Sequence, residues 1–249
     1  MSIFGNLGTD DTIQDEVDSI GGGSRVLDSG IYDFTVDMAY AMESSGGAKA
    51  VVLHLKTPDG KELRSTQWVS SGKAKGCKNF YETKDGQKKY LPGFLMLQSL
   101  SLLTIGVEPN QLEAEMKFIK LWNKEQKKEV PTEVPVLVGL LNQQIKGAVL
   151  KQVVDKTKDD GQGNYLPTGE TREENELDKF FRASDSMTTA EIRAQATSAE
   201  FIQTWADKNT GTVRDRTSKD AAPAKQSSAF GAATNGGGTV APTKSIFGK

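Results

Sequence analysis

Lysine and aromatic side chains are interleaved between Trp68 and Tyr90, in the sequence WVSSGKAKGCKNFYETKDGQKKY. Lysines can neutralise phosphates with release of counterions, and flat rings offer bases of any sequence a surface to stack on. Six phosphate contacts predict a log–log salt slope of about −4 for a single strand. The stretch therefore indicates binding of single-stranded nucleic acid. Its candidate residues are Trp68, Lys73, Lys75, Lys78, Phe80, Tyr81, Lys84, Lys88, Lys89 and Tyr90.

Two residues outside this stretch are further candidate DNA contacts. Arg64 lies in the segment that leads into Trp68, and Trp122 precedes a lysine-rich segment at 124–128. The alternative interpretation is a solvated basic loop whose rings fill the protein interior, with Trp122 in the core. Three glycines within the loop favour a mobile, extended chain and hence nucleic-acid contact.

Other kinds of chemistry find little support. One cysteine, Cys77, and one histidine, His54, cannot build a zinc ribbon, a His-based catalytic triad or a two-histidine protease site. The carboxylates of Glu170–Asp178 are interpreted as a solvated acidic face, and Gly21-Gly22-Gly23-Ser24 lacks the context of a phosphate-binding loop. We therefore predict no catalytic residue, no metal and no cofactor, and a protein that is not an enzyme.

The 249 residues carry a net charge of only −2, but the charges are segregated along the chain. Residues 1–30 and 166–191 are acidic, whereas 72–90 and 143–158 are basic. A polyanion would bind one of the basic blocks, since bulk charge does not attract it. No run approaches the ~18 apolar residues of a membrane span. We expect no membrane association and a reducing compartment, the host cell cytoplasm.

Composition divides the chain into three parts. Residues 1–24 are predicted to form a flexible acidic arm, 25–216 an OB-like nucleic-acid-binding domain, and 217–249 a disordered tail too poor in apolar residues to fold. The tetrapeptide Ser2-Ile3-Phe4-Gly5 recurs as Ser245-Ile246-Phe247-Gly248, with a looser copy around Phe230. Either this is chance, or Phe4, Phe230, Ile246 and Phe247 belong to short docking peptides for a partner or a neighbouring subunit.

Local patterns predict a mainly β protein with some α-helix. Alternating apolar residues indicate strands, and helical spacing indicates two helices. The predicted strands are 30–40, 48–56, 62–70, 116–122, 133–141 and 144–155, and the predicted helices are 94–105 and 188–207. A turn at Asp59-Gly60 joins the second and third strands. This order favours an OB-like antiparallel β-barrel with an inserted helix and a C-terminal helix.

Several short patterns over residues 25–160 resemble bacteriophage single-stranded DNA-binding proteins of the OB-fold type. They are Gly30-Ile31-Tyr32-Asp33-Phe34, Asp59-Gly60, Trp68-Val69-Ser70-Ser71-Gly72, Lys89-Tyr90-Leu91-Pro92-Gly93 and Pro135-Val136-Leu137-Val138-Gly139-Leu140. The resemblance implies coating of unpaired strands during phage DNA replication and recombination. It also implies a C-terminal tail that recruits phage or host replication, recombination or transcription proteins. Here the tail is net basic, whereas the family's tail is acidic.

The sequence therefore predicts a sequence-tolerant single-stranded DNA-binding protein, which could also form a homo-oligomer. A second hypothesis is a phage scaffold or virion-associated protein whose Ser-Ile-Phe-Gly ends hold subunits together. An enzyme acting on nucleic acid is a third.

Overall fold

The computed structural model describes residues 26–123, 126–159 and 165–218. The predicted arm 1–24 and the predicted tail beyond Ser218 lie outside these residues. The predicted docking residues lie outside them as well: Phe4, Phe230, Ile246 and Phe247.

Strands dominate the described part of the chain. The strands are β1 (Gly30–Glu43), β2 (Lys49–Lys56), β3 (Glu62–Trp68), β4 (Phe80–Glu82), β5 (Lys88–Tyr90), β6 (Glu115–Asn123), β7 (Lys128–Val136), β8 (Gln144–Asp159), β9 (Tyr165–Arg182) and β10 (Val213–Asp215). The α-helices are α1 (Pro92–Thr104), α2 (Thr189–Arg193) and α3 (Phe201–Asn209). None of these helices is long and apolar enough to cross a membrane. The prediction of a β-rich fold with a few helices is confirmed.

The main sheet is antiparallel in the order β9–β8–β1–β2–β3. The β6–β7 hairpin joins this sheet at one pair of residues, Tyr40 of β1 and Val136 of β7, and β10 lies parallel to β8. Helix α1 packs against both β3 and β9, the two outer strands of the five. Within the described residues, β3 and β9 are therefore connected by packing against α1 and not by backbone pairing with each other. Closure of the sheet into an OB-like barrel stays a prediction.

A β-bulge in β1 changes which of its residues share a face. Alternation predicts that Phe34, Val36, Met38 and Tyr40 point to one side, but the register with β2 shifts between Val36 and Met38. A bulge inserts one extra residue and reverses the faces that follow. Phe34 and Val36 are therefore buried in the main core beneath α1, whereas Tyr40 is buried in a second cluster with Val52, Val134 and Val136.

Helix α1 and strand β7 are both displaced from their predicted positions. Helix α1 begins at Pro92, two residues before the predicted start, because proline is favoured in the first turn of a helix. The predicted strand 133–141 is wrong in its bounds. The strand is Lys128–Val136, and Val138–Leu140 forms a single 3₁₀ turn that buries Leu140.

The acidic run Glu170–Asp178 lies within an 18-residue strand, β9, that pairs with β8, and its carboxylates are exposed or half-buried. One prediction near the C-terminal end of the domain is wrong. The predicted helix 188–207 is two helices, because Gln195 adopts a left-handed backbone conformation (φ 54°) after α2 ends. Thr188 caps α2 through a capping box with Glu191.

Candidate nucleic-acid interface

The predicted basic loop contains a small hairpin of its own, β4–β5. Phe80 pairs with Tyr90, Tyr81 pairs with Lys89, and the backbone N–H of Leu91 donates to the carbonyl of Asn79. Because successive side chains alternate between the two faces of a strand, Tyr81 and Lys89 share one face while Phe80 and Tyr90 share the other. A ring and an ammonium group thus lie side by side on the Tyr81 face.

Phe80 has a different environment from the other predicted stacking residues. The Nζ atoms of Lys78 and Lys88 lie 5.4 Å and 5.3 Å from its ring centroid. These distances are in the range of cation–π contacts, so the ring holds the two ammonium groups near the hairpin. Tyr81 and Tyr90 keep about half of their surface exposed, although the Tyr90 ring also contacts Phe94 at 5.0 Å.

Trp68 stands at the end of β3, directly above the start of α1. Its side chain is 44% exposed. A Cβ at Gly93 would lie 2.3 Å from the backbone oxygen of Trp68, which is far inside van der Waals contact. Only glycine permits this approach, so the helix start fixes the position of the Trp68 backbone.

A continuous groove leads from Trp68 to the β4–β5 hairpin. One cleft of about 700 Å³ is lined by Trp68 and Lys75, and a second of about 380 Å³ is lined by Lys75, Lys78 and Tyr81. The two clefts share Ser71, Lys75 and Leu91 as lining residues. We call them together the basic groove. The structure thus brings five of the predicted residues to one surface: Trp68, Lys75, Lys78, Phe80 and Tyr81.

A third cleft, of about 870 Å³, lies on the other side of Trp68, between β3, α1 and β9. Arg64 lines this cleft and donates a 3.1 Å hydrogen bond to the Tyr40 hydroxyl. The cleft is also lined by three carboxylates of β9, those of Glu174, Glu176 and Asp178, and by two further cations, Arg172 and Lys179. Arg172 pairs with Glu174, and Arg214 and Arg216 pair with Glu176. Trp68 therefore separates the basic groove from a cleft whose lining charges are balanced.

The lysines of the two basic blocks, 72–90 and 143–158, differ in whether they form ion pairs. The six lysines of the first block are exposed, and none forms an ion pair with another described residue. In the second block, Lys146 pairs with Asp33, Lys151 with Glu173 and Lys156 with Glu170. Two of these partners come from β9, because that strand pairs with β8. Within the described residues, all six lysines of the first block thus keep their charge free for an anion, whereas in the second block only Lys158 does.

Trp122 lies apart from the basic groove. Its side chain is 61% exposed. Trp122 lies on β6, and three strands, β7, β1 and β2, lie between β6 and β3 in the order of pairing. The register places Trp68 on the same sheet face as Tyr40, whereas Trp122 points to the opposite face. Its role as a DNA contact stays a prediction, and the structure does not place it with the other candidates.

The remaining polar candidates do not form a reaction centre. His54 is half-buried beside Tyr40, and burial, followed by the nearby charge of Arg64, lowers its pKa. The Cys77 thiol is exposed, and its sulfur lies 3.6 Å from the carbonyl oxygen of Gly47. The described residues include no cluster of three metal-ligating side chains.

Sequence reasoning missed strand β9 and the exposed face of β6. The dipeptide Asp160-Gly161 after β8 is a hairpin signal that could have indicated β9. Alternation along β6 could have indicated its second apolar face, since Met116, Phe118 and Trp122 are two and four residues apart.

Comparison with known proteins supplies no relative for this chain. No family model matches it, and no curated protein matches its sequence. The resemblance to phage single-stranded DNA-binding proteins therefore stays a prediction.

Proposed function

We propose that this protein binds single-stranded DNA without sequence preference through the basic groove, and coats unpaired strands during phage DNA replication and recombination. The observation that carries the proposal is a groove lined by Trp68, Tyr81, Lys75 and Lys78, within a segment (72–90) whose six exposed lysines form no ion pair within the described structure. Such a surface offers charge to phosphates and rings to bases, and neither contact depends on base identity.

The lysines supply the attraction to the strand. Each neutralised phosphate releases counterions, so the affinity depends strongly on salt, with a slope of roughly −0.7 per contact for a single strand. The cation–π contacts of Lys78 and Lys88 with Phe80 hold two of these ammonium groups at the hairpin before DNA arrives. This reduces the side-chain entropy lost on binding.

The exposed rings supply the contacts to bases. Stacking on an aromatic side chain is worth roughly 1–3 kcal/mol per base. Tyr81 lies opposite Lys89 on one face of the hairpin, so one nucleotide can place its base on the ring and its phosphate near the ammonium group. A base on Trp68 occupies the other end of the groove.

The extent of the basic groove defines the length of the bound strand. The cleft beyond Trp68 is lined by three cations and three carboxylates, so it offers no net charge to a phosphate backbone. This arrangement predicts a short site, because the lysine-lined surface extends only from Trp68 to the β4–β5 hairpin.

The proposal places the protein in the host cell cytoplasm. Its partners are single-stranded DNA and the phage or host replication, recombination or transcription proteins that the tail 217–249 recruits.

The test is a fluorescence titration with oligo-dT at several salt concentrations. The variant Lys75→Gln/Lys88→Gln/Lys89→Gln is compared with a control of the same net charge. That control changes exposed lysines outside the groove: Lys56→Gln/Lys158→Gln/Lys208→Gln. We expect the groove variant to bind more weakly and its salt slope to fall in magnitude by roughly two. Equal weakening in both variants, or no binding by the wild type at low salt, would contradict the proposal.

A further inference from the structure

Strand β6 presents large apolar side chains to solvent on one face. Met116, Phe118 and Trp122 are 59%, 72% and 61% exposed. The alternate residues Ile119 and Leu121 point the other way and pack against the second core cluster. A strand needs only one apolar face to join a sheet, so the outer apolar face has no role in folding.

This outer face carries two carboxylates and one lysine, and Lys127 lies in the turn beyond Trp122. On β7, Glu133 lies opposite Phe118 and Glu129 lies opposite Trp122, while the only basic residue of β6 on this face is Lys120. Pro131 and Pro135 complete the face on β7. Two carboxylates beside exposed rings disfavour a phosphate backbone and favour an apolar segment that carries positive charge.

The sequence of this chain contains such a segment at its C-terminal end. Ile246 and Phe247 lie between Lys244 and Lys249, and the residues from Lys219 onward hold four lysines against one acid, Asp220. The N-terminal copy of the tetrapeptide has the opposite setting, because residues 1–18 hold five acids and no lysine or arginine. Charge therefore selects the C-terminal copy over the N-terminal one.

The connection to this segment is long enough to reach the β6 face. The last described residue, Ser218, donates its backbone N–H to Asp155 on β8, and Lys244 follows 26 residues later. A linker of that length spans roughly 28 Å on average and up to roughly 90 Å when extended. A domain of this size has a radius of gyration of only about 16 Å. Because the segment belongs to the same chain, its effective concentration at the β6 face is in the millimolar range. This exceeds the concentration at which a second copy of the protein would offer the same segment.

We propose that residues 244–249 dock on the outer face of β6 of their own chain, with Ile246 and Phe247 against Phe118 and Trp122 and the two flanking lysines near Glu129 and Glu133. This interaction is independent of DNA binding in the basic groove. It assigns Trp122 to a protein-docking face.

Hydroxyl-radical footprinting of the full-length chain tests this docking, with oxidation of each side chain read by mass spectrometry. The variant Ile246→Ser/Phe247→Ser is compared with the matched variant Ile3→Ser/Phe4→Ser. We expect oxidation of Met116, Phe118 and Trp122 to rise severalfold in the C-terminal variant and to stay at the wild-type rate in the N-terminal one. Tyr81 and Tyr165, exposed elsewhere, serve as internal references.

A charge-reversal variant tests the same contact from the other side. Glu129→Lys/Glu133→Lys leaves the tail unchanged and is expected to raise oxidation of Met116 and Trp122 as the tail variant does. Equal oxidation rates in wild type and C-terminal variant would overturn the proposal. So would protection that grows with protein concentration, which assigns the segment to a neighbouring copy, or protection that appears only when oligo-dT is added.

Discussion

The indole Nε1 of Trp205 donates a 2.6 Å hydrogen bond to the Oδ2 of Asp178, which ties α3 to β9. Trp205 is only 5% exposed, so its N–H has little access to water. Asp178 belongs to the run that the sequence predicts to be a solvated acidic face, and its side chain is exposed. One of these carboxylates is thus an anchor for the C-terminal helix.

Removing this carboxylate should destabilise the domain. Asp178→Ala leaves a buried indole N–H without its acceptor, which costs roughly 1–3 kcal/mol of the free energy of unfolding. Urea unfolding followed by circular dichroism measures the change. The control is Asp37→Ala, an exposed carboxylate of β1, and we expect little effect there. A similar loss in the free energy of unfolding in both variants would show that the hydrogen bond between Trp205 and Asp178 makes no specific contribution to stability.

The close approach of α1 to Trp68 predicts that Gly93 tolerates no side chain. Gly93→Ala places a methyl group against the Trp68 backbone and should cost roughly 1–3 kcal/mol through overpacking. Because the helix must then move, affinity for oligo-dT should also fall. Gly139→Ala is the matched control, since its new methyl group would meet only Ile105 at 3.4 Å. Unchanged unfolding of the Gly93 variant would contradict the close contact.

The carboxylate of Glu191 connects the starts of α2 and α3. It accepts hydrogen bonds from the backbone N–H groups of Thr188, Glu200 and Phe201. Burial raises the pKa of Glu191, but these hydrogen bonds outweigh burial and hold the pKa below its ordinary value.

Glu191 therefore stabilises the domain in a pH-dependent way. A depressed folded-state pKa adds stability above the unfolded pKa of about 4.3, and this stability is lost as pH falls through the folded pKa. Glu191→Gln should lower stability at neutral pH and weaken the pH dependence below about pH 4. Urea unfolding at a series of pH values measures both effects. An unchanged pH profile would be evidence against this role, with exposed Glu113→Gln as control.

The exposed aromatic residues should divide into two groups by their effect on DNA affinity. Tyr81→Ala removes a ring from the basic groove and should weaken binding of oligo-dT by roughly 1–3 kcal/mol, a factor of roughly 5 to 150. Phe118→Ala removes a more exposed ring from β6 and should leave DNA affinity unchanged. Fluorescence titration measures both. A loss of affinity in the Phe118 variant would extend the DNA site to β6.

The elements that the sequence predicted best are those fixed by neighbouring residues. Strands β2 and β3 follow from alternating side chains and the Asp59-Gly60 turn, and the cap of α2 follows from Thr188 and Glu191 three residues apart. Strand β9 has a comparable turn signal, Asp160-Gly161, but its charged run Glu170–Asp178 lacks alternating apolar residues. Its charged residues become a strand because β8 supplies the partner ladder and lysines for ion pairs.

The sequence alone determined that charge is concentrated in two basic blocks and that the first is interleaved with rings. Only the tertiary structure decided which block stays available, because ion pairs between distant strands neutralise Lys146, Lys151 and Lys156 and leave the first block exposed. The structure likewise separated Trp122 from Trp68, since the ladders between them send these side chains to opposite faces. Composition and spacing report on local chemistry, whereas strand pairing decides which distant groups meet.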